Sequence, residues 1–295
     1  MGSYQVLQGD CRDTLKSLED GAVNCIVTSP PYFQRRDYEN ENQIGLEKNP
    51  DDYIESLISV FAECHRVLAD DGVLWVNITD TYINKRMMLI PHRFVIAMEA
   101  WGWIARQDII WSKRNPMPEP VKDRCTRSHE YIFMFVKNRK YWFDSTALCE
   151  EGIIQIDNRM NKGRIEYDLK WSYEGDTQPS FIQRSFVDLN GKRNKRSVWH
   201  VSTSKSNEGH YAIYPAELIE PCILSSCPKG GIVLDPFGGS GTTAAVAIKH
   251  NRNAIMCELN PNYIKGMKSR IKHITGLSIN AGEDLNASFD EWFGD

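Results

Sequence analysis

The sequence predicts an α/β protein built on a mostly parallel sheet. Three observations carry this prediction. Apolar runs of strand length recur along the chain: AVNCIVT (22–28), VLWVNIT (73–79) and GGIVLDP (230–236) are almost continuously apolar, the mark of strands covered on both faces. Stretches with apolar residues at helical spacing fall between them, and strands alternating with helices place neighbouring strands parallel. The chain has 295 residues, 41% of them hydrophobic, enough to bury a large core without disulfide or metal.

Taken in order, YQVLQ (4–8) reads as a short strand followed by GD, and DTLKSL (13–18) as a helix. After AVNCIVT, residues 51–69 carry helical periodicity starting from an acidic cap, and DDG closes that helix. IPHRFVIAMEAWG (90–102) reads as a helix with Pro91 near its start and Gly102 at its end. WIARQDIIW (103–111) and EYIFMFVK (130–137) are further strands, joined by a polar loop with three prolines. Residues 144–197 are more polar and less periodic; they are expected to form an insert between two halves of one domain, 1–143 and 198–295. Regularity returns with helices at 214–227, 240–251 and 261–275 and a strand, RNAIMCEL, at 252–259.

Composition narrows the function. A net charge of −4 gives no global attraction to a polyanion, so a nucleic-acid surface has to be a local basic patch. The eight cysteines contain no C-x-x-C and sit largely in apolar runs, which predicts buried thiols in a reducing cytoplasm and no metal framework. No apolar run approaches the roughly 20 residues of a membrane span. The opening MGSYQVLQGD lacks a basic region followed by an apolar stretch, so no secretory leader and no membrane partner are expected.

Two loops carry the chemistry. LDPFGGSGTTAAVA (234–247) follows a buried strand and opens a helix, with glycines that let the backbone turn sharply and approach a ligand. Glu258 ends the next strand, where an acid can accept hydrogen bonds from ribose hydroxyls. The loop matches neither G-x-G-x-x-G nor G-x-x-x-x-G-K-[ST], and Asp235 would repel a phosphate; a cationic nucleoside ligand, a sulfonium bearing an amino-acid ammonium, suits it better. The alternative is a plain glycine turn joining strand to helix. The second loop is SPPY (29–32). Pro30 and Pro31 have fixed φ and no N–H, so the loop presents carbonyl oxygens with few competing donors. Ser29 Oγ and the Pro30 carbonyl suit the two N–H groups of an exocyclic base amine, whose lone pair is then aimed at a methyl donor. Tyr32 offers a flat ring on which a base could stack, a contact worth about 1–3 kcal/mol in single-stranded contexts. Read alone, S-P-P-Y favours a plain proline turn that ends a strand.

Together, SPPY (29–32) and DPFGGSGTT (235–243) make the chain resemble the S-adenosylmethionine-dependent DNA amino-methyltransferases, which modify N4 of cytosine or N6 of adenine. Catalytic loop first and cofactor loop last resembles the β-type order. GDC (9–11), IIWSKRNPMP (109–118), SHEYIFMFVK (128–137) and VWHVSTSKSNEGHYAIYPAEL (198–218) fit the same family, so the resemblance covers nearly everything outside 144–197 and the last twenty residues. It implies a Rossmann-like methyltransferase fold, a seven-stranded sheet with one antiparallel strand, in which the strands ending at Thr28 and Asp235 are neighbours. It implies S-adenosyl-L-methionine as cofactor, with Asp10 and Cys11 near its adenine, Glu258 at the ribose, and Asp235, Pro236, Phe237, Gly238, Gly239, Ser240, Gly241, Thr242 and Thr243 framing the methionine moiety. Pro215 is expected to close that pocket. The partner implied is double-stranded DNA, with the target base extruded from the helix, and a restriction endonuclease encoded nearby is a possible second partner; the protein is expected as a monomer or homodimer.

Ser at the first loop position is more usual in cytosine-modifying members and Asp in adenine-modifying ones, so Ser29 favours N4 of cytosine with N6 of adenine as the alternative. Direct transfer to nitrogen needs no covalent enzyme–base bond and no catalytic cysteine. For DNA phosphates the expected contacts are Lys113, Arg114, Lys122, Arg124 and Arg127 in one loop and Lys192, Arg193, Lys195 and Arg196 in GKRNKRSVW. Residues 144–197 are the expected target-recognition region, and RRDYENEN (35–42) is a flap or an ordinary polar loop. Three further readings stay open on the sequence. An RNA substrate or a protein amide is disfavoured by Ser rather than Asn at position 29 and by the long insert. A nucleic-acid-binding module without catalysis is disfavoured by the intact Ser29, Tyr32, Asp235 and Glu258.

Overall fold

The structure is a computed structural model, and it describes residues 2–37, 42–151, 192–203 and 214–276. Contacts divide the chain into two compact units, one formed by Met1–Ala147 with Arg196–Asp295 and one by Leu148–Lys195.

The larger unit holds an eight-stranded sheet. Its strands are β1 (Tyr4–Gln8), β2 (Val23–Thr28), β3 (Leu68–Ile78), β6 (Ile104–Lys113), β7 (His129–Val136), β10 (Val198–Val201), β11 (Ile232–Asp235) and β12 (Asn253–Glu258). Their order is β1-β12-β11-β2-β3-β7-β6-β10. β7 runs antiparallel to both of its neighbours and every other pairing is parallel. The seven strands expected from apolar runs are all present. The eighth, β10, was not anticipated: VWHV is too short to show a period, and it is a strand because it pairs with β6 through Val198↔Ile110 and Trp199↔Trp111. A two-stranded hairpin, β4 (Tyr82–Ile83) with β5 (Arg86–Met87), follows β3.

Helices α1 (Cys11–Thr14), α2 (Pro50–Val67), α3 (Ile90–Trp101), α4 (Ala216–Ser226), α5 (Thr242–Lys249) and α6 (Pro261–Thr275) connect the strands. The expected acidic cap of α2 is corrected: Asn49 is the cap, its side chain accepting from the backbone N–H groups of Asp51 and Asp52, with Pro50 filling the first helical position where no N–H is needed. Asp51 and Asp52 instead lie in the first turn, where their charge suits the helix dipole. α3 ends at Gly102, whose N–H reaches the carbonyls of Met98 and Glu99, and its φ of 129° turns the chain so that the Trp103 N–H also reaches the Met98 carbonyl, at 3.1 Å. Segment 13–18 proves to be the end of α1 and a 3-10 turn over Leu15–Ser17.

The central strands are sheathed on both faces, as their unbroken apolar character requires: Cys25, Ile26, Val73, Leu74, Val233 and Leu234 are fully buried. One core cluster joins β2, β3 and β12 to α2 and α3 through Leu57, Phe61, Phe94, Trp103 and Phe135, with Phe61 and Phe94 at 5.3 Å between ring centroids. All eight cysteines are free thiols. Among the described residues no helix is long and apolar enough to cross a membrane. In the smaller unit the described residues form an antiparallel pair, β8 (Cys149–Glu151) with β9 (Lys192–Asn194), stapled by Arg193 to Glu150 at 3.0 Å.

Candidate active site

Parallel pairing brings the carboxyl ends of four strands together. Gln8 of β1 lies opposite Glu258 of β12, and Leu234 of β11 opposite Ile26 of β2. The loops leaving these ends enclose one cavity of about 380 Å³. Of the residues anticipated from sequence, Asp10, Cys11, Ser29, Pro30, Pro31, Tyr32, Pro236, Phe237, Gly238, Gly239, Ser240, Thr242 and Glu258 line it. Two loops some two hundred residues apart in the chain therefore share one wall, where open α/β sheets bind ligands.

Glu258 is 8% exposed and fixed by two backbone donors, Gly239 N–H to Oε2 and Asn260 N–H to Oε1, both at 2.7 Å. Burial outweighs those bonds and pushes its carboxyl up to about 7. Asp10 caps α1, and Arg12 grips both of its oxygens; burial alone would raise this carboxyl, but the Arg12 hydrogen bonds and charge hold it below the usual range. Any further donor to Asp10 must therefore share the carboxylate with a guanidinium already in place. Ser240 lines the cavity with its Oγ buried and without a partner among the described residues. Gly241 is required by its backbone: φ is +84°, and a Cβ there would come within 2.3 Å of Met267 Cγ.

Four expected cofactor residues do not line the cavity: Asp235, Gly241, Thr243 and Pro215. Asp235 is the instructive correction. It is 1% exposed and its carboxylate is saturated by four donors: Thr28 Oγ1 (2.6 Å), the Phe237 N–H (3.0 Å), Thr243 Oγ1 (2.6 Å) and Tyr214 Oη (2.8 Å). Burial raises its carboxyl above the ordinary range, against these donors. The residue thus ties β2, the glycine loop and α5 together and lies off the cavity lining. Pro215 caps α4, and the preceding Tyr214 lines the cavity in its place.

In the SPPY loop, Tyr53 Oη donates to the Pro31 carbonyl at 2.8 Å, while the Pro30 carbonyl accepts nothing among the described residues. Ser29 Oγ donates to Tyr32 Oη at 3.1 Å, and Tyr32 Oη donates to Glu130 Oε2 at 2.7 Å. Asn77 Nδ2 bonds both Tyr32 Oη (2.9 Å) and Glu130 Oε2 (2.8 Å). Burial, and then Glu130, raise the Tyr32 hydroxyl well above its usual range. Sequence reasoning missed Asn77, Glu130 and Tyr214. A signal for the first two was present: a polar side chain inside VLWVNIT, and an acid opening the apolar strand EYIFMFVK.

The anticipated basic residues separate. Arg114 and Lys122 are exposed. Lys113 is not a loop cation: it ends β6 and its Nζ lies 2.5 Å from Glu130 Oε1. Arg124 pairs with Glu119 at 2.6 Å and lies 4.0 Å over the Tyr82 ring, and Arg127 donates to the Asp80 carbonyl. Arg196 belongs to the larger unit, and Lys192, Arg193 and Lys195 to the smaller. Arg35, Arg36 and Asn42 of the segment after SPPY line the cavity; positions 38–41 of it, 152–191 and 204–213 lie outside the described residues.

Sheet order, one antiparallel strand and a cavity at the strand carboxyl ends are those of a Rossmann-like methyltransferase fold. A family model described as DNA methylase matches residues 23–269. The type II methyltransferase M.Cfr9I of Citrobacter freundii is 37% identical over 310 residues, covering 95% of this chain and 89% of that protein. Among solved structures, the cytosine-N4-specific PvuII DNA methyltransferase superposes with a TM-score of 0.67 at 20% identity, over 94% of this chain and 92% of that one. A putative DNA modification methylase of Thermus thermophilus, solved with S-adenosyl-L-methionine, gives 0.59 at 23% identity over 92% and 96%. The chain belongs to the DNA methylase family and is a DNA amino-methyltransferase.

Proposed function

We propose that the protein moves a methyl group from S-adenosyl-L-methionine to the exocyclic N4 of a cytosine flipped out of duplex DNA. The observation that carries this is the shared cavity wall: Ser29 and Pro30 line the same space as Gly239, Ser240 and Glu258. The residues fit the cofactor. Glu258 accepts from the two ribose hydroxyls, the unpartnered Ser240 Oγ takes a polar group of the methionine moiety, and Asp10 shares its carboxylate between Arg12 and the adenine amine. The cofactor supplies an electrophilic methyl carbon on a sulfonium.

Ser29 Oγ and the Pro30 carbonyl accept the two N–H groups of the target amine. This draws its lone pair out of conjugation with the ring and fixes its direction, an orientation effect of the kind that dominates many enzymic barriers. Tyr32 lies against the base, and the nitrogen's surplus proton leaves to water. The neutral hydroxyl at position 29, together with the cytosine-N4-specific PvuII enzyme of like fold, supports cytosine over adenine. Residues 144–197 read the target sequence, and Arg114 and Lys122 are proposed phosphate contacts. Relatives such as M.Cfr9I are type II methyltransferases, which supports a cognate endonuclease recognising the same site.

The test is expression in a host free of DNA methylation, followed by nucleoside mass spectrometry and base-resolved sequencing. N4-methylcytosine at one recurring sequence is expected. N6-methyladenine would move the reading to adenine, and cofactor binding with no modified base in any DNA would overturn it.

A further inference from the structure

A serine at the head of the catalytic loop poses a problem of direction. A hydroxyl both donates and accepts, whereas orienting an amine N–H requires an acceptor. We propose that Glu130 is a positioning residue that fixes this direction, acting on Ser29 through Tyr32. The proposal rests on the reading that Ser29 meets the target amine.

The hydrogen bonds leave one consistent arrangement. Glu130 is 5% exposed, and Lys113 Nζ sits 2.5 Å from its Oε1. Facing an ammonium, the carboxylate offers only lone pairs, so Tyr32 must donate its single proton to Oε2, 2.7 Å away. The Tyr32 oxygen can then only accept, and its two lone pairs are filled by Asn77 Nδ2 at 2.9 Å and by Ser29 Oγ at 3.1 Å. The proton of Ser29 is thereby committed to Tyr32, and the lone pairs of Ser29 are left for an incoming N–H. A buried anion at the far end also polarises the chain toward itself, making Ser29 a better acceptor than an isolated hydroxyl. The carboxylate absent from position 29 thus acts at one remove, from the N-terminal end of the antiparallel strand β7.

Two isosteric variants test this in single-turnover methyl transfer, with cofactor affinity measured alongside. Glu130→Gln can donate to Tyr32, so the direction is no longer imposed. Tyr32→Phe keeps the ring and leaves the Lys113–Glu130 pair in place but cuts the chain. Each is expected to slow the chemical step by about 10- to 100-fold, less than the about 10²–10³ lost with a direct transition-state donor, while cofactor Kd stays within about twofold. Because both act through one chain, the double variant should be no slower than the slower single one. Should Glu130→Gln unfold on losing its charge, Tyr32→Phe still decides the matter. Wild-type turnover in either folded variant, or losses that multiply in the double variant, would overturn the proposal. Loss of turnover in Ser29→Ala with neither of those variants affected would sink this inference alone, whereas a wild-type protein that methylates no DNA would sink the reading beneath it.

Discussion

Thr28 Oγ1 donates a 2.6 Å hydrogen bond to Asp235 Oδ1, joining residues 207 positions apart at the ends of adjacent strands. Thr28 immediately precedes the SPPY loop and Asp235 opens the glycine loop, so this buried bond, beside the β2–β11 pairing, ties the two loops together. Both residues are 1% exposed.

Removing that donor should therefore be felt in both stability and chemistry. Thr28→Val leaves one buried carboxylate lone pair unmatched and is expected to cost about 1–3 kcal/mol, read from the midpoint of urea unfolding at unchanged slope. Turnover should fall more than cofactor affinity, since Thr28 adjoins Ser29 and does not line the cavity. Unchanged stability would show that the bond contributes nothing.

Glu258 predicts a pH dependence. Its carboxyl is raised by burial to about 7 in the folded protein, from an ordinary value of 4.5. Between these values the folded state holds a proton that the unfolded state has lost. The ligand-free protein should therefore lose stability as pH rises from about 4.5 to 7, with no further change from this group above that. On the proposed reading, in which the ribose hydroxyls donate to the ionised form, cofactor binding should release a proton below pH 7 and affinity should climb with pH up to that point. Calorimetry in two buffers of different ionisation enthalpy counts the proton, and Glu258→Gln should abolish both trends.

Gly241→Ala tests the loop backbone. The position has φ of +84° and no room for a Cβ beside Met267. Strain in this region costs about 1–3 kcal/mol, so thermal unfolding should shift down and the cofactor should bind more weakly, because the Pro236–Ser240 wall moves. A variant as stable as the parent would contradict the geometry.

The basic residues should divide by function. Arg114→Ala and Lys122→Ala should each weaken DNA binding regardless of sequence and lower the salt slope by about 0.9 for each phosphate left without its cation. Lys113→Met should leave that slope unchanged and reduce turnover, because its charge is spent on Glu130. A slope reduced in Lys113→Met would return that residue to the DNA surface.

Much was legible in the chain. Strands sheathed on both faces betray themselves as apolar runs, and the proline and glycine loops do so because backbone restrictions are written in residue type. Glu258 and Ser29 could be placed because one ends and the other follows a recognisable strand. Asp235 could not be assigned its partners, since an acid at a strand end looks the same whether it faces a ligand or four protein donors. The strand β10 was hidden as well, because four residues carry too little pattern and only pairing with β6 makes them a strand.

By itself, then, the sequence determined the alternation of strands and helices, the two loops and the residues each loop could offer to a methyl donor and a base amine. These are local properties, set by side-chain period and by the dihedral limits of Pro and Gly. Only the tertiary structure decided that Thr28 meets Asp235, that Tyr32 leans on Glu130 and that Lys113 faces inward. Such pairings depend on which strands become neighbours, and a buried polar group takes whichever partner the sheet order brings within hydrogen-bond reach.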